Sequence, residues 1–192
     1  MRYLFFDTET TGLPRPGEPL VNQPYMVQLG AMLTDESINE LGGICLLVNN
    51  GVDIPTDAQR VHGITPEQCA AFGVSLESAL ELFLELYEQA DMVIGHNISF
   101  DMQIIEDQLE RLGMSIEWKG CYCTMKQGTA ALQNLGMYRG QKWLKLTEAY
   151  QLITGTSIPG AGAHNAWTDV KACATVFNEL RRRDVYFEAW KP

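Results

Sequence analysis

The hydrophobic pattern opens with an unbroken run, Tyr3-Leu4-Phe5-Phe6, and apolar side chains at successive positions predict a strand over residues 2–7 buried on both faces. Residues 12–24 interrupt it with Pro14, Pro16, Pro19, Pro24 and two glycines, which predicts a loop. Two further apolar stretches, 25–34 and 43–48, read as strands, and the short turn-rich separations make the first three an antiparallel meander. From residue 55 the apolar spacing changes to three and four. Thr56 with Gln59, and Thr65-Pro66 with Gln68, each match a capping box. Leu76, Ala79, Leu80, Phe83, Leu86 and Tyr87 then mark an amphipathic helix with glutamates between them. Met92-Val93-Ile94 predicts a short strand ended by Gly95, and helices are expected over about 98–112, 124–134, 145–154 and 166–183.

Three hairpin-linked strands followed by alternating helices and strands predict an α/β fold, a mixed sheet with helices on its faces. At 192 residues, with no repeat or linker in the pattern, a single domain spanning 1–192 is expected. No apolar stretch approaches the ~18–20 residues of a membrane span, and the N-terminus lacks the order of a signal peptide. The five cysteines follow no metal-knuckle spacing, so reduced thiols and a cytoplasmic location are expected. The net charge of −10 argues against gripping a phosphate backbone through the overall field, unless some acids bind divalent cations that reverse the local sign.

Four acids stand out against that background. Asp7 and Glu9 sit two apart at the end of the first strand, so their side chains share a face beside the core. Asp101, in "GHNISFDMQII", and Asp169, in "AHNAWTDVKA", each open a helix beside its buried stripe. Stabilising a helix dipole, typically worth ~0.3–1 kcal/mol, would account for Asp101 and Asp169 taken singly. It does not account for Asp7 and Glu9, which are like charges held close together. Hard cations such as Mg2+ or Mn2+ prefer oxygen ligands, and a pair of them ~3.5–4 Å apart can serve both the attacking and the leaving oxygen of a phosphodiester. His164, in a Gly- and Ala-rich loop five residues before Asp169, is a candidate general base because imidazole titrates near neutrality. By their residue context alone, His62 and His96 read as packing or loop-fixing groups. Arg139, Lys142 and Lys145, interleaved with Tyr138 and Trp143, form an aromatic-basic cluster with two readings, a groove lining or an ordinary solvated loop.

On these residues the sequence resembles the DEDDh family of 3′–5′ exonucleases, which includes the proofreading epsilon subunit of bacterial DNA polymerase III. "FDTETTG", "GHNISFD" and "HNAWTD" are similar to its three motifs, in order, and "VHGIT" to a segment between the first two; "CTMKQG" and "KWLKLTEAY" resemble stretches of a phage and bacterial branch. The resemblance implies a ribonuclease H-like fold with a central mixed five-stranded sheet. It also implies Asp7, Glu9, Asp101 and Asp169 as ligands of two Mg2+ or Mn2+ ions and His164 as general base. The implied reaction hydrolyses the terminal phosphodiester and releases a nucleoside 5′-monophosphate. Thr10, Thr11 and Gly12 would hold the 3′-terminal nucleotide, with Leu13, His62, Asn97 and Phe100 as further substrate-binding candidates; packing in the core is the competing reading for Phe100. Nucleic acid 3′ ends are the implied partner, single-stranded DNA ahead of RNA or short oligonucleotides. The chain ends about nine residues past its last predicted helix, so a polymerase-docking segment is not expected and a free-standing nuclease is. A silent 3′-end-binding module is the rival from another class, and the intact acids and histidine count against it.

Overall fold

Strands β1 (Tyr3–Thr10), β2 (Met26–Thr34), β3 (Glu40–Leu47), β4 (Met92–Gly95) and β5 (Cys121–Cys123) form one mixed sheet in the order β3-β2-β1-β4-β5. The computed structural model describes residues 1–160 and 164–183. β1, β2 and β3 pair antiparallel, as the meander predicts, while β4 joins β1 and β5 joins β4 in parallel. A parallel neighbour needs a long crossover. Between β3 and β4 that crossover is α1 (Thr56–His62), α2 (Pro66–Phe72) and α3 (Leu76–Gln89); between β4 and β5 it is α4 (Ile98–Arg111). Three more helices follow: α5 (Lys126–Asn134), α6 (Leu146–Thr154) and α7 (Ala166–Arg182).

The continuous apolar run of β1 divides between two cores by strand parity. Leu4 and Phe6 face α3 and α4, where Phe6 packs edge-on to Phe83 at 5.2 Å and stacks on Trp118 at 5.8 Å. Tyr3 and Phe5 face α5, α6 and α7, and both meet the ring of Phe177 edge-on, at 5.2 and 5.6 Å. Each such fully buried aromatic contributes roughly 1.5–3 kcal/mol. The central strand is therefore clamped from both sides, which fixes where its polar end projects.

Two expectations change. β1 runs on to Thr10 rather than stopping at 7, because β2 returns opposite it and continues the ladder as far as Thr10↔Met26. Asp7 and Glu9 thus lie within the strand. The Thr56–Gln59 capping box does not form; Pro55 is the N-cap of α1, and Gln59 Nε2 donates instead to the Ile54 carbonyl at 2.7 Å. The second box does form: Gln68 N–H donates to Thr65 Oγ1 and Thr65 N–H to Gln68 Oε1. Residues 161–163 of the Gly- and Ala-rich loop and the tail 184–192 lie outside the described residues. Among the described residues no helix is long and apolar enough to cross a membrane, and all five cysteines are free.

Candidate active site

The two sides of β1 end at different heights. β4 pairs with β1 only through Tyr3, Leu4 and Phe5, whereas β2 follows it to Thr10. The upper half of β1 therefore has an open edge, with backbone groups that need partners. Asp101 fills part of it. The chain leaves β4, turns at Asn97 in a left-handed conformation (φ 67°), and enters α4, whose first turn carries Asp101 across the gap. Thr8 N–H and Thr8 Oγ1–H both donate to Asp101 Oδ1, at 2.9 and 2.8 Å. A carboxylate thus takes the place a neighbouring strand would have had.

Asp7 and Glu9 share the parity of Tyr3 and Phe5 and so point to the α7 side. Asp169 comes from the first turn of α7 on that side, and His164 Nδ1 lies 3.4 Å from Asp169 Oδ2. Donor atoms of Glu9, His164 and Asp169 all fall within 4.8 Å of one another. His164 was read from the sequence as a base, and the structure sets it close enough to Glu9 and Asp169 to share an ion with them.

Burial and mutual repulsion raise the affinity of these acids for protons. Asp7 is pushed well above the usual carboxylate range, by burial first and then by Asp101, Asp169 and Glu9. Glu9 is raised to about 8 by burial and by Asp169 and Asp101. For Asp101, burial raises it to about 7 despite the opposing hydrogen bonds from Thr8. Burial also raises Asp169, with His164 drawing it back. Neither Asp7 nor Glu9 has a hydrogen-bond or ion-pair partner for its carboxylate among the described residues. Carboxylates clustered without cationic or N–H partners are costly, and a hard divalent cation, which takes oxygen ligands, relieves that cost. The donor set fits a divalent cation that takes oxygen ligands.

α7 is held in place by close backbone approach. Ala166 N–H donates to Gln28 Oε1 at 3.0 Å, which ties the first turn of the helix to β2. A Cβ on Gly30 would stand 2.8 Å from the Ala166 backbone, and one on Gly43 would stand 2.7 Å from the Trp167 ring. Thr8, Gln28, Gly30 and Gly43 were not singled out from the sequence. Signals existed: a lone glutamine and a glycine inside the fully buried β2, where a strand glycine marks another backbone coming close.

The turn after β1 is pinned as well. Thr11 N–H donates to the Tyr25 carbonyl, Tyr25 N–H donates to Thr11 Oγ1, and Thr10 Oγ1–H donates to the Gly12 carbonyl at 2.6 Å. His62 is buried beneath it. Ile64 N–H donates to His62 Nδ1, which leaves Nε2–H to donate to the Thr10 carbonyl at 3.3 Å. Both ring nitrogens are engaged by backbone groups, which tie His62 to the turn after β1 and to the end of α1. Leu13 projects 75% exposed beside this turn. Phe100 is partly buried and packs against the α3–α4 core. His164 N–H donates to the Val61 carbonyl at 3.2 Å, so the end of α1 joins the turn to the histidine.

The profile of the exonuclease family (RNase_T) matches residues 4–177. The DNA polymerase III epsilon subunit of Rickettsia felis is 30% identical over 113 residues, covering 58% of this chain and 46% of that protein. The epsilon subunit of Buchnera aphidicola subsp. Acyrthosiphon pisum is 29% identical over 116 residues, covering 60% and 48%. The chain thus spans about half the length of these relatives. E. coli exonuclease I in complex with a dT13 oligonucleotide superposes with a TM-score of 0.76 over 95% of this chain and 41% of that one, at 20% identity, a likeness of fold that makes the sheet ribonuclease H-like. With a profile match that takes in β1, α4 and most of α7, and with the three motifs set around one open strand edge, the chain belongs to the exonuclease family, in its DEDDh group.

Proposed function

We propose that this protein is a divalent-metal-dependent 3′–5′ exonuclease that removes nucleoside 5′-monophosphates from single-stranded DNA. The observation that carries the reading is the gathering of Asp7, Glu9, Asp101 and Asp169 at the open edge of β1, with two of the four carboxylates lacking a hydrogen-bond or ion-pair partner among the described residues. Such a set has a chemical purpose only when cations sit between the acids. The acids would hold two Mg2+ or Mn2+ ions, which supply charge neutralisation and Lewis acidity at the scissile phosphate.

The chain's own residues do the rest. Asp101 is oriented by the two Thr8 hydrogen bonds. His164 takes a proton from the attacking water and releases it to solvent, a role supported by its 64% exposure and its position beside Asp169. The turn at Thr10, Thr11 and Gly12, fixed by Tyr25 and His62, offers a rigid seat for the terminal nucleotide, with Leu13 free to pack on its base. DNA is favoured over RNA because the relatives are DNA polymerase subunits and the structural neighbour was solved with a DNA oligonucleotide.

A strand labelled at its 3′-terminal nucleotide tests the reaction and the base together. The label should leave first, as a 5′-monophosphate, and His164→Ala should slow its release by ~10²–10⁴-fold while a metal-linked rise in melting temperature persists. Internal cuts, 3′-monophosphate products or an unimpaired variant would contradict the reading.

A further inference from the structure

Between α5 and α6 the chain returns towards the site along residues 135–145, and one point of that return is fixed from two directions. His96 Nε2–H donates to the Leu144 carbonyl at 2.9 Å, and Leu144 N–H donates to Thr129 Oγ1 of α5 at 3.1 Å. His96 lies between the end of β4 and the Asn97 turn that delivers Asp101, so Leu144 is moored beside the acids' own scaffold. Side chains around it alternate: Leu144 and Leu146 are buried, while Trp143 and Lys145 face solvent.

Trp143 is 56% exposed and has no ring partner among the described residues. The other two described tryptophans are occupied, Trp118 stacked on Phe6 and Trp167 under Lys171. A large amphipathic ring presented to water from an anchored backbone is suited to a stacking contact. The charges around it stand apart as well, because residues 118–147 contain no Asp or Glu. Elsewhere in this acidic protein, Arg60, Arg182 and Arg183 pair with nearby acids, Lys119 is held by three carbonyls, and Arg111 and Arg181 each donate to one, while Arg2, Arg15 and Lys171 make no ion pair with a described acid. Lys126, Arg139, Lys142 and Lys145 are all exposed and make no ion pair with any described acid. They lie on the two segments that Leu144 and Thr129 bring together. Unpaired cations on the segments that carry and anchor a bare aromatic ring suit one chemistry, an unpaired base stacked on the ring with its flanking phosphates on the cations.

We propose that Trp143, with Lys126, Arg139, Lys142 and Lys145, forms a second contact for single-stranded nucleic acid, taking nucleotides on the 5′ side of the one being removed. The proposal rests on the exonuclease reading only for the direction in which the strand lies. On this proposal a strand of a dozen nucleotides engages both the 3′ seat and the platform, whereas a dinucleotide engages the seat alone.

The test compares wild type with Trp143→Ala, on a dinucleotide and on 12-mers of DNA and RNA. Binding of fluorescent 12-mers is read by anisotropy in EDTA, and turnover with Mg2+. Trp143→Ala should weaken 12-mer binding and raise its KM by roughly 5- to 150-fold, leaving kcat, the dinucleotide KM and the melting temperature unchanged. Trp143→Phe should recover much of the loss, and Lys142→Ala with Lys145→Ala should flatten the salt dependence of 12-mer binding. Equal binding by wild type and Trp143→Ala overturns the proposal, as does an equal KM rise for dinucleotide and 12-mer, which would mean local distortion. A variant that changes only self-association would make the patch a protein interface and overturn it too. Because the binding arm needs no turnover, a wild type that binds the 12-mer through Trp143 yet cuts nothing would sink the exonuclease reading alone.

Discussion

At the scale of single residues, the site is a set of acids whose protonation is tied to folding. Glu9 is held at about 8 against an ordinary 4.5, so its carboxyl binds a proton more tightly in the folded chain than in the unfolded one. The contribution from that proton is complete below about pH 4.5 and is lost as pH rises through 8. Glu9→Gln keeps the shape and cannot ionise. In EDTA the variant and wild type should therefore melt together near pH 4.5, and the variant should melt higher at pH 8.5, by about 2–4 °C for each kcal/mol relieved. Added Mn2+ should reverse the order, because it binds the carboxylate and not the amide. Superimposable melting curves at pH 8.5 without metal would mean Glu9 is not strained. The acids and His164 were legible in the sequence because chemistry-bearing residues at core edges have few other uses. Thr8 was not, since its role depends on where β4 stops, a feature of pairing that leaves no mark on the residue itself.

At the scale of elements, two lengths make the site: β1 is long and β4 short. The apolar run identified β1 but ended it too early, because its last residues are polar and their strand state is set by pairing with β2. β5 has only three residues and takes its identity from β4 beside it, so periodicity alone could not place it. The capping box at Thr65 formed and the one at Thr56 did not; a proline at the first helical position reinforces the former, whereas Pro55 itself becomes the cap in the latter. The start of α7 sets the position of Asp169, and its docking on Gly30 leaves no room for a methyl group. Gly30→Ala should cost ~1–3 kcal/mol through overpacking. It should also lower kcat by tenfold or more, because an ångström of misplacement can cost ~10²-fold. Melting temperature and kcat measured on the same preparation check both effects. A fall in stability with kcat intact would show that α7 can shift at its start without moving the acid.

For the whole molecule, an excess of ten negative charges has to be reconciled with a polyanionic substrate. The reconciliation is local. On the proposed reading, cations held by the four carboxylates would change the sign at the 3′ seat, and the Lys and Arg side chains near Trp143 in the sequence would change it along the approach. The fold class and the antiparallel pairing of the first three strands were legible in the meander and the alternating helices, whereas the places of β4 and β5 beside β1 were not. The docking of α7 across β2 and β3 was not, because it joins segments about 130 residues apart through backbone contacts that no periodicity records.

The most direct measurement of the central claim uses 5′-labelled single-stranded DNA and RNA of one sequence, incubated with Mg2+, Mn2+ or EDTA, with Asp7→Ala in parallel. A ladder that shortens stepwise from the 3′ end, faster on DNA, should form with either metal and vanish both in EDTA and in the variant, whose fold should persist because a repulsive charge has been removed. Intact strands in every metal lane, or a ladder that survives Asp7→Ala, would contradict the metal-dependent exonuclease.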